Sequence, residues 1–152
     1  MNSVILFFNI IDAKIVSIMK KRGIDLLRYS LGIIFIWFGI LKPFGLSPAH
    51  DLILNTVYWF DDREAFIPIL GYWEVAIGLT IMIKPLIRLS IFLLFIQMPG
   101  TFLPLILLPS VCFVDFPFSL TMEGQYIIKN IIIITAALII GRKYLKVRLF
   151  KI

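Results

Sequence analysis

The chain has 152 residues, of which 61% are hydrophobic and 16% charged, with a net charge of +6 and a mean hydropathy of +1.01. A soluble domain is about 45–50% apolar and about 25% charged, and one this small exposes too much of its surface to hide the excess. Disorder is excluded by the same apolar richness, a disulfide scaffold by the single cysteine, and a nucleic-acid face by aromatics that lie inside apolar runs.

In residues 1–23, Asn9, Asp12, Ser17 and Lys20 fall at near-helical spacing among Ile, Val and Met. That pattern predicts an amphipathic, basic helix on the inner membrane surface, and Val4–Ile11, with no basic n-region and no small-residue cleavage site, is not expected to act as a signal peptide. A membrane helix needs roughly 20 mostly apolar residues, and four segments supply them: 24–42, 65–83, 86–108 and 121–141. The second carries Glu74 near its centre, which costs roughly 2.5–3.5 kcal/mol on insertion scales. Its large apolar residues return a similar sum. Between the second and third segments, Lys84-Pro85 leaves almost no loop and predicts a tight antiparallel hairpin. The third is uncharged, with Pro99-Gly100 expected to break its backbone ladder. The fourth contains Lys129, and residues 142–152 form a basic tail. Tyr58-Trp59-Phe60 and Phe113, Phe116 and Phe118 suit connections at headgroup level.

Four spans place twelve of the fifteen basic residues on one side, and positive residues stay cytoplasmic. The expected fold is therefore all-α: an integral-membrane four-helix bundle with both termini cytoplasmic, preceded by the interfacial helix.

Ionisable residues inside spans usually face protein and often mark function. Ile67, Gly71, Glu74, Gly78 and Met82 share one helical stripe, and Gln125, Lys129, Ile133, Ala136 and Ile140 another. Gln97, Thr101 and Pro104 form a third. The seven-residue separation of Gly32 from Gly39 recurs in Gly71 and Gly78, predicting that spans one and two pack glycine face to glycine face. A rise of 1.5 Å per residue puts Glu74 about 13 Å below Ala65 and Lys129 about 12 Å below Thr121, so these two are expected to pair in the outer half of the bundle. One histidine, His50, and one cysteine, Cys112, supply no metal site and no bis-histidine haem.

Phe38-Gly39-Ile40-Leu41-Lys42-Pro43, Trp73-Glu74-Val75-Ala76-Ile77-Gly78, Gln97-Met98-Pro99-Gly100-Thr101 and the run from Thr121 to Asn130 occur in this order. Together they resemble the DoxX-like membrane proteins over residues 27–141. The resemblance implies a four-helix bundle in a bacterial inner membrane. Some members are subunits of quinone-linked oxidoreductases, and most have no assigned activity. It also carries over Lys42, Trp73, Glu74, Gln97, Glu123, Gln125 and Lys129 as site residues.

Three roles are compatible with these features. The first is a quinone-binding or accessory subunit of a membrane redox system, with Lys129, Gln97, Thr101 and Glu74 at the head group. With no haem, cluster or dithiol of its own, such a chain needs an organic cofactor or a redox partner subunit. The second is a small-solute permeation subunit, which at four helices requires a homo-oligomer. The third is an assembly partner whose polar cluster only fixes packing. Membrane lipids are partners in all three, and nucleic acid in none.

Overall fold

A computed structural model describes the backbone of residues 2–145 and the side chains of residues 5–145. It is mostly helical. Four stretches are long and apolar enough to cross a membrane: Ile5–Leu41, Arg63–Met82, Lys84–Leu107 and Met122–Tyr144.

The first stretch differs from expectation. Helix α1 (Asn2–Leu41) runs uninterrupted for 40 residues, about 60 Å at 1.5 Å per residue. No boundary at residue 23 separates an interfacial helix from the first span. The run holds no proline, and Gly23 costs only about 1 kcal/mol relative to alanine, too little to end so long a helix. Residues 5–22 are exposed throughout, whereas Arg28, Leu31, Gly32, Phe35 and Gly39 are buried.

After a turn in which Gly45 takes φ +69°, a conformation that favours glycine, α2 (His50–Thr56) packs on α3 (Arg63–Met82). Helix α3 (Arg63–Met82) starts at Asp62, whose carboxylate accepts from the Ala65 amide at 3.0 Å. A single 3-10 turn, Lys84–Leu86, then reverses the chain into α4 (Ile87–Phe102), the tight hairpin that Lys84-Pro85 predicts.

Pro99 lies inside α4 and does not end it. The interruption comes one turn later, at Leu103, before α5 (Pro104–Leu107). Pro104 has no amide to offer the Gly100 carbonyl, which accepts instead from Leu103 at 3.3 Å. The connection to the fourth stretch holds α6 (Pro109–Cys112) and an antiparallel pair, β1 (Phe113–Asp115) with β2 (Ser119–Leu120). Composition gave no sign of this hairpin; Phe116 and Phe118 stand exposed on its tip. Thr121 anchors it, accepting from Gly124 N at 3.2 Å and donating to Val111 O at 2.7 Å. Helices α7 (Met122–Ile128) and α8 (Asn130–Tyr144) are divided at Lys129. Helix α8 extends past residue 141, so Arg142 and Lys143 fall in its last turn; residues 146–152 of the expected tail lie outside the described residues.

Helix α1 packs most extensively on α3, α4 packs on α3, and α8 closes the ring against α1 and α4. All four contribute to the core: Leu31, Ile81, Ile87, Ala136 and Ile140 form one cluster, and Phe35, Ile77, Leu94, Met98 and Ala137 the next. The glycine seam is present. A Cβ on Gly39 would stand 2.7 Å from the Gly71 carbonyl oxygen, and one on Gly78 2.7 Å from that of Gly32. Backbones this close leave no room for a side chain.

Arg28 closes one end. It is 1% exposed and therefore does not snorkel to the lipid interface. Its guanidinium donates to Met82 O at 2.8 Å and to Ile81 O at 3.3 Å. These are terminal carbonyls of α3, and the residue that would serve Ile81 is Pro85, which has no amide. Asp25 accepts from Lys143 at 3.1 Å and from the Tyr144 hydroxyl, and lies 3.6 Å from Arg28, so the node ties α1, α3 and α8 together. Arg28→Met, which strands those carbonyls, is expected to cost about 1–3 kcal/mol in detergent unfolding. An unchanged transition would show that the node contributes nothing.

Cys112 is fully buried under the hairpin. Burial pushes its thiol above the usual range, and nearby Glu123 adds to the shift. Because the thiolate is the reactive form, maleimide labelling of the folded protein is expected to be slow at neutral pH and fast once detergent is replaced by denaturant. Rapid labelling without denaturation would place Cys112 in solvent.

Candidate functional site: a buried Lys42–Glu74–Gln97 triad

Glu74 lies halfway along α3, on the stripe that faces α1. The glycine seam sets the register: Gly39 opposes Gly71 and Gly32 opposes Gly78, so the helices run antiparallel and Glu74 faces the level of residue 36. Side chains on a helix lean toward its N-terminus. Lys42, at the end of α1, therefore leans back along α1, Glu74 leans back along α3, and the two converge.

They form an ion pair, Lys42 Nζ to Glu74 Oε2, with side chains 6% and 12% exposed. The other carboxylate oxygen, Oε1, accepts from Gln97 Nε2 at 2.9 Å. Three elements thus each supply one polar group, and both carboxylate oxygens are satisfied within the chain. The Gln97 carbonyl oxygen Oε1 is buried without a hydrogen-bond partner. Lys42 makes a single hydrogen bond among the described residues, although an ammonium has three donors.

The expected pairing of Glu74 with Lys129 is not what the structure contains. Lys129 is exposed at the junction of α7 and α8 and forms no ion pair among the described residues. Equal depth on two helices does not fix the direction a side chain takes around the helix, and the Lys129 direction is outward. The remaining candidates sort in the same way. The Thr101 hydroxyl donates back to Gln97 O at 3.3 Å rather than to the carboxylate. Trp73 borders the core beside the triad and donates to Leu93 O at 3.3 Å, tying α3 to α4. Gln125 is exposed and donates to Leu120 O at 3.4 Å, and Glu123 is exposed on the first turn of α7. Of the eight expected site residues, Lys42, Glu74 and Gln97 come together.

Among the described residues no three metal-ligating side chains converge. Two open surface clefts lie away from the triad, one lined by Leu54, Asn55 and residues 61–64 and the other by Ser17, Ile18, Lys21 and Arg22. Gly100, one turn from Gln97 on α4, has nothing within 4 Å of where a Cβ would stand, so that flank of α4 is open.

No protein-family model, curated protein or solved structure matches the chain.

Proposed function

We propose that this chain is a DoxX-like multi-pass protein of a bacterial inner membrane, with both termini cytoplasmic, and that its triad holds the head group of a quinone-type redox carrier. In this reading the chain serves as a binding or accessory subunit of a membrane redox system. The membrane assignment rests on the four apolar helices, and the orientation on the basic residues gathered at the Arg28 end. The site assignment rests chiefly on the unpartnered Gln97 oxygen and on a lysine with donors to spare, the two residues sharing the Glu74 carboxylate. A buried polar atom without a partner is costly, and few native groups are left so. A quinone-type head group carries polar oxygens on a small ring with an apolar tail, which suits a polar triad flanked by an open helix face.

The test is extraction and titration. Protein purified from native membrane in mild detergent is expected to carry quinone in its lipid extract, and a decyl-tailed quinone is expected to quench tryptophan fluorescence saturably, Trp73 being next to Glu74. An extract free of quinone, with no saturable quenching, would overturn the reading.

A second reading has its own observation. Both Glu74 oxygens are already satisfied by Lys42 and Gln97, which suits a triad that only fixes helix register and a chain that acts as an assembly partner. Replacing the ion pair with apolar residues would then leave partner assembly intact.

A further inference from the structure

We infer that the triad selects the reduced form of its carrier, a hydroquinone, over the quinone. This inference rests on the functional reading above and specifies the ligand's hydrogen-bonding chemistry. The unused groups are of opposite kinds. Gln97 Oε1 is a buried acceptor without a donor, and Lys42 Nζ has donors beyond the one it gives Glu74. The amide orientation follows from the carboxylate: Glu74 Oε1 can only accept, so Gln97 turns its nitrogen to it at 2.9 Å and its oxygen away. A quinone carbonyl accepts only; it can take a hydrogen bond from Lys42 but leaves Gln97 Oε1 unmet. A hydroquinone hydroxyl both donates and accepts, so one oxygen can serve both residues.

The approach is also on the page. Gly100 lies three residues beyond Gln97 on α4, is exposed, and has nothing within 4 Å of its would-be Cβ. A ring moving along that flank from the lipid side meets no side chain at this position. Glu74, with 12% of its side chain exposed, is the more accessible end of the ion pair.

The experiment uses the full chain in detergent and three probes with the same decyl tail: a benzoquinone, its hydroquinone kept reduced under argon, and the dimethyl ether of that hydroquinone. An unmet buried acceptor corresponds to about a tenfold loss in affinity. The hydroquinone is therefore expected to bind about tenfold more tightly than the quinone and the ether. Gly100→Leu, whose Cβ meets nothing within 4 Å, is expected to abolish binding of the probes without lowering stability. Gln97→Met is expected to erase the preference. Equal affinity for the three probes, or tighter binding of the ether, overturns the selectivity while leaving a quinone-type site in place. Binding of none overturns the functional reading as well. Full binding by a folded Gly100→Leu protein overturns the approach along α4.

Discussion

Lys42→Met is expected to destabilise the protein by about 3–5 kcal/mol, the cost of leaving a buried carboxylate without its cation. The Glu74 side chain is 12% exposed, and its remaining partner, Gln97, offers one neutral amide hydrogen bond in place of a full charge. Removing both charges in Lys42→Met, Glu74→Leu is expected to recover most of the loss, because an apolar pair of similar volume no longer requires desolvation of either ion. Gln97 then loses its acceptor, so recovery stops short of complete. Lys129→Met, at an exposed position, is expected to stay within about 0.5 kcal/mol of the parent. Denaturant or thermal unfolding of the four proteins in one detergent decides the matter. A costly Lys129→Met beside a neutral Lys42→Met would restore the pairing inferred from helix depth and refute the Lys42–Glu74 pair.

The contrast between those two lysines shows how much of the molecule can be read in the residues. Four apolar stretches, the Lys84-Pro85 hairpin and the seam joining Gly32 and Gly39 to Gly71 and Gly78 follow from length, hydropathy and spacing. All are local patterns or periodicities. The partner of Glu74 is not local. Depth along a helix axis pointed to Lys129, and the direction around the axis, which depth does not give, turns Lys129 outward. The glycine spacing held the missing constraint: once Gly39 opposes Gly71, Lys42 is brought beside Glu74 on the same seam, while the stripe that aimed Lys129 inward breaks at Lys129 itself, where α7 gives way to α8. Two other features were hidden for different reasons. The break comes at Leu103, where the amide missing from Pro104 shifts the Gly100 carbonyl to Leu103, and Pro99 leaves α4 continuous. The Arg28 node depends on Pro85 withholding an amide 57 residues away, a pairing that no local spacing reveals.

The second large effect is expected at the seam. Gly39→Ala puts a methyl group 2.7 Å from the Gly71 carbonyl oxygen and 2.9 Å from the Val75 backbone nitrogen. Neither atom belongs to a flexible side chain, so the helices must separate; overpacking of this kind costs about 1–3 kcal/mol, and Gly39→Leu should cost more. Gly100→Ala is the control, because its Cβ meets nothing and helix propensity alone should stabilise it by up to about 1 kcal/mol. The seam and the triad are one construction. A Cβ on Gly71 would stand 2.8 Å from the Lys42 Cβ, so widening the seam there moves Lys42 away from Glu74. Gly71→Ala and Lys42→Met are therefore expected to be non-additive in unfolding, the double variant losing less than the sum of the singles, with a coupling of about 0.5–3 kcal/mol. Strict additivity would mean that the glycines bring the helices together without setting the ion pair, and the register argument for the triad would fail.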